Sequence, residues 1–423
     1  MLSVHTCPLA TLGGKKTGGM NVYVHELSIE LARHGVLVDV FTRSQDPCVP
    51  HINDTTLGEG ARVIHIPAGP ENPLGTSAIY PYLPEFVQNV RAFADKEGLR
   101  YDVLHSHYWL SGWAALALRR SWNVPVIQMF HTLGRMKNRI ARSEQEREGD
   151  LRIHTEQQIM QQADCLIAAT PAERIQMMWL YGTDMRQIRV IPPGVDTAHF
   201  RPMPREAARE AIGIPQHDQL LLFVGRIEQI KGIDVLLNAL AILKQEQAAS
   251  LRHMCLSIIG GTIDDEAQED AELARLKALG RELGLDGLVT FLGAKDQEAL
   301  QYYYCAAEVV IMPSDYESFG MVALEAMACG TPVIASEVGG LAYLIQDGVT
   351  GFHVPTRDPA ELAGKIRLIF ENEALRREMS VAATAYAQRY DWSHISSQII
   401  QVYFECTGRK APGRAAERWQ FQG

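Results

Sequence analysis

Leu220-Leu221-Leu222-Phe223-Val224-Gly225-Arg226, with Lys231-Gly232 opening the next helical segment, sets the reading of the whole chain. Five consecutive apolar residues closed by a glycine have the length and composition of a buried strand in a parallel sheet. Gly225 permits a tight turn, and Arg226 and Lys231 place two cations in the connection that follows. A strand, a turn and a helix make up the repeating unit of an open α/β domain, whose ligands bind outside the carboxyl ends of the strands.

The same alternation runs in both directions from this stretch. Towards the carboxyl end, apolar runs predict strands at Leu256–Ile259, Val289–Leu292, Val309–Met312, Val333–Ala335 and Phe352–Val354. Towards the amino end they predict Leu2–Val4, Val36–Phe41, Val63–Ile66, Val103–Ser106, Val126–Phe130, Cys165–Ala168 and Arg189–Ile191. The first run starts beside Met1, so either the chain begins upstream or that strand is a stub. Between the first two runs, Met20, Val24, Leu27 and Leu31 recur at helical spacing, and Gly35 stands where a helix would stop. Ile191-Pro192-Pro193-Gly194-Val195-Asp196 breaks every period and marks a domain boundary. The expected organisation is an α/β protein of two similar-sized domains, residues 1–195 and 196–390, facing each other across a cleft.

Composition bounds the partners. A chain of 423 residues fits two or three domains. Forty basic against fifty acidic side chains leave a net charge of -10, which argues against a nucleic-acid partner. Cys7, Cys48, Cys165, Cys255, Cys305, Cys329 and Cys406 are scattered without any C-x-x-C pair, so neither a disulfide framework nor a zinc ribbon is expected, and a reducing cytoplasm is. No signal-peptide plan and no apolar run long enough for a membrane span are present. Thr407 to Gly423 carry Arg409, Lys410, Arg414 and Arg418 and read as a frayed, solvated tail, with peripheral membrane contact as the other reading.

Three loops can hold an anionic ligand. Gly13-Gly14-Lys15-Lys16-Thr17-Gly18-Gly19-Met20-Asn21 joins the first strand to the first helix, and amides at a helix start favour an anion. It fits neither the P-loop nor G-x-G-x-x-G. In the second loop, Arg226 offers a fork of hydrogen bonds and Lys231 a mobile charge. The third runs from Pro313 to Gly330. Glu317 precedes a helix of strong formers and Glu325 lies within it, about 12 Å apart if the rise were helical throughout. That is too wide for a cooperating acid–base pair. It suits the two ends of an extended ligand, with the Phe319–Val322 amides facing a phosphate. Solvent exposure of Glu325 is the plain alternative, but Ala323, Leu324, Ala326, Met327 and Ala328 surround it, so its carboxylate needs a partner.

Glu317 and Glu325 in an E-x7-E arrangement, with Gly225-Arg226 and Lys231-Gly232 before them, resemble the retaining glycosyltransferases of family 4. The resemblance implies the GT-B fold, two facing Rossmann-like domains, with residues 391–423 forming a helix that crosses back to the first domain plus the tail. It implies a nucleoside diphosphate sugar donor, UDP-linked, with UDP-GlcNAc one candidate, and no metal or other cofactor. Arg226 and Lys231 would bind the diphosphate, Glu325 the ribose, and Glu317 the transferred sugar. Gly18, Gly19, Ser318, Phe319, Gly320 and Met321 would complete the donor site, and His131 would contact the sugar near the reacting carbon. The catalytic set is therefore His131, Arg226, Lys231 and Glu317.

Gly18-Gly19-Met20-Asn21-Val22-Tyr23-Val24, His105 to Gly112 and Glu156-Gln157-Gln158 are most similar to family members whose acceptor is an inositol phosphate. Asn21, Tyr108, Thr132 and Arg152 would bind the acceptor, the last three matching the family's phosphate contacts. Where that pattern has a lysine after Ala68-Gly69-Pro70, this chain has Glu71 and no cation before Arg91. One lost cation costs about 1.5–3 kcal/mol at an anion site. An inositol phosphate or a sugar phosphate is the candidate acceptor, and a homodimer is left open.

His105 and His107 alternate on one strand face, but no metal-ligand pattern accompanies them. Arg135, Lys137, Arg139 and Arg142 either grip an anionic acceptor or lipid surface or, the reading preferred because Glu144, Glu146, Glu148 and Asp150 follow closely, belong to a solvated mixed-charge helix or mobile loop. The expected reaction is retaining hexosyl transfer to a small hydroxyl acceptor. A sugar-nucleotide epimerase or hydrolase and a catalytically silent sugar-nucleotide-binding protein are its rivals.

Overall fold

The structure, a computed structural model, describes residues 1–10, 18–246, 253–261 and 271–409. The loop residues Gly13 to Thr17 and the tail from Lys410 therefore lie outside the described residues. The chain forms two compact units. One contains Met1–Ala10, Gly19–Pro192 and the segment from Trp392, and the other contains Pro193–Asp391.

In the N-terminal unit the strands are β1 (Val38–Arg43), β2 (Ile52–Asn53), β3 (Ala61–Ile66), β4 (Leu104–His107), β5 (Val126–Met129), β6 (Cys165–Ala168) and β7 (Ile188–Val190). They pair in the orders β1-β3-β2 and β4-β5-β6-β7, parallel except for β2 on β3. Leu2 joins the two groups by bridging Phe41 and Ser106, donating to the His105 carbonyl at 2.9 Å and accepting from the His107 amide at 3.0 Å. The expected strand Leu2–Val4 is thus reduced to a stub with a bridge at one residue. The strand expected at Val36–Phe41 is shifted because the preceding helix, Gly19–Arg33, closes with Gly35 at φ 81° and the Val36 amide on the Leu31 carbonyl. Val36 still serves the helix end. The core packs Leu110, Ala114, Ala115 and Leu118 of the Tyr108–Trp122 helix against Phe41, Phe130 and Leu166. The Trp392–Thr407 helix packs on Gly19–Arg33 within this unit.

In the C-terminal unit β8 (Gln219–Val224), β9 (Met254–Ile259), β10 (Val289–Phe291), β11 (Val309–Met312), β12 (Val333–Ser336) and β13 (Gly351–Val354) form one parallel sheet in the order β10-β9-β8-β11-β12-β13. Counted along this unit, that is 3-2-1-4-5-6, the order of a doubly wound Rossmann sheet. Its core joins Leu221, Phe223, Leu256, Ile258 and Ile311 to Leu236, Leu237 and Leu240 of the Ile233–Glu246 helix. Each fully buried side chain of this kind contributes roughly 1.5–3 kcal/mol.

Winding reverses between β8 and β11, so the loops leaving these two strands run side by side at the switch point. The Asp315 amide donates to the Ile230 carbonyl at 2.8 Å. Gly232, at φ 66°, passes so close that a Cβ would lie 2.0 Å from the Pro313 carbonyl oxygen. No helix among the described residues is long and apolar enough to cross a membrane.

Candidate functional site

Fold alone places the second and third sequence loops together in the C-terminal unit. Lys231 ends a short 3-10 turn, Gln229–Lys231, and its Nζ meets Glu317 Oε2 at 2.5 Å, with both side chains less than a fifth exposed. Arg226 is nearly half exposed and donates to Glu228 Oε1 at 2.7 Å. Each expected phosphate-binding cation therefore has a carboxylate partner. Arg357 anchors the cluster from after β13. It bonds both oxygens of Asp315, at 2.7 and 2.6 Å, and Asp234 at 2.9 Å, from a left-handed backbone at φ 60°.

The segment from Glu317 to Gly320 is not helical. The helix is Met321–Ala328, with Gly320 at its N-cap in a left-handed conformation, so a helical rise from Glu317 to Glu325 does not apply. Only Met321 and Val322 of the four expected amides belong to the helix start. Ser318 is half-buried, and Phe319 is buried with its ring 6.0 Å from that of Tyr390. Glu325 is buried and accepts from the Tyr304 hydroxyl at 2.7 Å, which supplies the partner its apolar helix requires. Burial, then the Glu325 carboxylate, keeps that hydroxyl protonated.

Sequence reading missed Glu228, Tyr304, Arg357 and the Gly339-Gly340 pair. The Gly340 amide donates to the Glu317 carbonyl at 2.8 Å, and a Cβ on Gly339 would lie 1.9 Å from the same oxygen. Two glycines shortly after the strand Val333–Ser336 were the available signal of a close backbone approach.

The N-terminal unit gathers its candidates at the carboxyl ends of β4 and β5. Two non-glycine residues with positive φ mark these ends, Tyr108 at 76° and His131 at 60°. His131 Nε2 lies 3.1 Å from His107 Nδ1, and His105 Nδ1 lies 2.8 Å from the Tyr403 hydroxyl. The His105 and His107 rings are 4.4 Å apart, on one strand face as the alternation predicts. Tyr23 presents its edge to His131 at 5.2 Å and to Trp392 at 5.3 Å. Burial, reinforced by His5, lowers the His131 pKa to about 3, and burial beside the amino terminus and the neighbouring imidazoles takes His105 to about 3 and His107 well below the ordinary range. These imidazoles are neutral at pH 7.

Tyr108, Thr132 and Arg152 do come together. Arg152 is buried, and all five of its N–H groups are placed: Nε on Glu156, Nη1 on the Tyr108 hydroxyl and Glu148, Nη2 on the Thr132 carbonyl and Oγ1, at 2.7–3.0 Å. The amide hydrogens of Asn21 hold Thr6 Oγ1 at 2.6 Å and the Cys7 carbonyl at 2.7 Å, so this side chain fixes the loop ahead of the helix. Gly19 opens that helix, and a Cβ on Gly18 would meet nothing within 4 Å. Near Glu71, the buried Arg43 donates to the Pro70 and Asn72 carbonyls at 2.7 and 2.6 Å, fixing the loop where the family's lysine is absent. The basic run divides: Arg135 stacks 4.9 Å from the Tyr181 ring, whereas Lys137 turns to Glu148 at 2.5 Å. Among the described residues, only His217, Asp218 and His253 have three ligand atoms close enough to share a metal ion, and they lie at the amino ends of β8 and β9, away from these loops.

Two Rossmann-like domains with their candidate residues gathered at the carboxyl ends of the strands are the architecture of a GT-B glycosyltransferase. "Glycosyltransferase Family 4" matches residues 17–199 and "Glycosyl transferases group 1" matches residues 204–386. The chain belongs to glycosyltransferase family 4 and is closely related to the D-inositol 3-phosphate glycosyltransferases. The protein of that name from Nocardiopsis dassonvillei is 39% identical over 418 residues, covering 99% of this chain and 96% of the relative. That from Saccharomonospora viridis is 39% identical over 406 residues, covering 96% and 93%. Among solved structures, a sucrose-phosphate synthase from Thermosynechococcus elongatus superposes with a TM-score of 0.86 at 36% identity, covering 96% of this chain and 97% of that one. Anabaena HepE, solved with UDP-glucose, shares the fold at 21% identity and a TM-score of 0.73, covering 94% and 98%.

Proposed function

We propose that this glycosyltransferase moves a hexosyl unit from a UDP-sugar to a hydroxyl of a small phosphorylated acceptor, with retention at the anomeric carbon and without a metal. Residues 196–390 hold the donor and residues 1–195 the acceptor. The observation that carries the donor reading is the Lys231–Glu317 pair in the switch-point loops, beside Arg226. Arg226 and Lys231 exchange their carboxylate partners for the diphosphate, and Glu317, released, faces the sugar hydroxyls. Glu325, oriented by Tyr304, accepts from the ribose. The names of the D-inositol 3-phosphate glycosyltransferases and of the sucrose-phosphate synthase both carry a phosphate on a small polyol or sugar, which supports a phosphorylated acceptor at Tyr108, Thr132 and Arg152.

As the bond from the anomeric carbon to the phosphate oxygen breaks, charge gathers on the diphosphate. Arg226, Lys231 and the amides near Gly19 and Gly320 stabilise it. The acceptor oxygen bonds the same face of that carbon, and its proton passes to the departing phosphate. His131, kept neutral by burial, hydrogen-bonds the donor sugar and carries no charge. The test is a screen of UDP, GDP and ADP sugars against inositol phosphate, sugar phosphates and their unphosphorylated counterparts, with the product anomer assigned by NMR. An inverted product, or turnover of donor alone to an epimer or free sugar at the full rate, overturns this reading in favour of an inverting transferase, an epimerase or a hydrolase.

A further inference from the structure

We propose that Lys137 supplies the second cation of the acceptor-anion site, and that the Glu148 carboxylate occupies the position of the acceptor's phosphate until substrate displaces it. This rests on the reading that Tyr108, Thr132 and Arg152 receive a phosphorylated acceptor.

Every N–H of Arg152 is already committed, so a phosphate enters only if one present acceptor leaves. The Thr132 carbonyl belongs to the main chain. Glu156 is fully buried and also accepts from the Gly134 amide and the Tyr181 hydroxyl, which fixes it. Glu148 differs. Its side chain is 22% exposed, and one oxygen, Oε1, accepts from Arg152 Nη1 at 2.8 Å and from Lys137 Nζ at 2.5 Å. A single anionic oxygen bridging a guanidinium and an ammonium is the geometry a phosphate oxygen adopts. Lys137 is itself 42% exposed, so a ligand in solvent can reach its ammonium.

The main chain around Glu148 permits the exchange. Asn138 Oδ1 accepts from the Glu148 amide at 2.7 Å and Asn138 Nδ2 donates to its carbonyl at 3.0 Å, so the backbone is clasped while the side chain turns. With Glu148 in place, Arg152 and Lys137 are balanced by Glu148 and Glu156, and the cluster has no net charge to offer. With Glu148 turned out, one positive charge remains, flanked by the Tyr108 and Thr132 hydroxyls. Only an acceptor that brings its own anion repays the displacement, so the device selects phosphorylated acceptors over neutral ones. It also accounts for an acceptor site without a lysine near Glu71.

The experiment measures inorganic phosphate binding by calorimetry at fixed ionic strength, in the full-length wild type and in Glu148→Gln, Lys137→Ala, Lys137→Arg and Arg152→Lys, with melting curves to confirm folding. Removing the competing charge in Glu148→Gln is expected to tighten phosphate about tenfold, and Lys137→Ala to weaken it about tenfold, the range of one charge-assisted hydrogen bond. Lys137→Arg should restore binding, which a purely structural loop contact would not require. If wild type, Glu148→Gln and Lys137→Ala bind phosphate alike while folded Arg152→Lys loses it, the displaced carboxylate and Lys137 are refuted and the acceptor site stands. If phosphate binds none of the folded proteins, or binds Arg152→Lys as well as wild type, the acceptor-site reading fails with the proposal.

Discussion

The two units solve the same problem with opposite electrostatics. In the C-terminal unit, ion pairs that solvent can reach, Arg226 with Glu228 and Lys231 with Glu317, sit in two neighbouring loops. In the N-terminal unit, neutral buried imidazoles and a saturated guanidinium gather from β4, β5 and the helix Asp150–Gln162. Pairs that keep some contact with solvent can trade partners for a ligand, whereas fully buried imidazoles hold a shape and resist charge. On the proposed function, donor grip and the shape of the acceptor side are separable: ion pairs carry the first and neutral buried imidazoles the second, with charge on the acceptor side confined to Arg152, Lys137 and the exchangeable Glu148.

The strongest attack on that separation is Arg226→Ala combined with Lys231→Ala. Transfer should fall by at least about 1,000-fold, the scale of lost transition-state charge stabilisation, while the melting temperature moves by only a few degrees. A folded double variant that keeps a tenth of the activity breaks the comparison. Next comes acid. His105, His107 and His131 have folded pKa values below the unfolded 6.5, so the stability they contribute is complete above that value and drains away as pH falls towards about 3. Urea unfolding between pH 7 and pH 4 should show a loss of roughly 1.4 kcal/mol per pH unit for each histidine that must charge. Hydrogen exchange should locate the loss in the N-terminal unit, and an equal loss in both units would contradict the contrast.

A smaller effect tests the glycine support of the donor loop. Gly339→Ala drives a methyl group into the Glu317 carbonyl and should cost about 1–3 kcal/mol, raising donor KM more than acceptor KM. Gly18→Ala, with open space around it, should leave the melting temperature unchanged. Equal melting temperatures for the two variants remove Gly339 from its supporting role. Smallest is Tyr304→Phe, which leaves Glu325 without its hydroxyl donor and should cost about 1–2 kcal/mol of stability together with a several-fold rise in donor KM. An unchanged donor KM separates Tyr304 from the ribose carboxylate.

The C-terminal sheet was legible because its strands are short, mostly apolar runs separated by segments of helical period, as Leu220–Val224 illustrates. Short-range signals also located Arg226, Lys231, Glu317 and Glu325. Partners were another matter. Glu148 and Glu156 flank Arg152 at i−4 and i+4, a spacing that reads as ordinary surface pairing on a helix. The structure turns that face inward, and only tertiary packing reveals it. β2 escaped notice because two residues, Ile52 and Asn53, carry no periodicity. Arg357 was invisible as a clamp because its partners, Asp234 and Asp315, are distant in sequence.

Leu2 stitches together what would otherwise be two separate groups of strands, and His107 hangs from that stitch by its own amide. Any slippage of this seam would carry the imidazole of His107 with it and tug on His131, so the alignment of the buried histidines is set through Leu2.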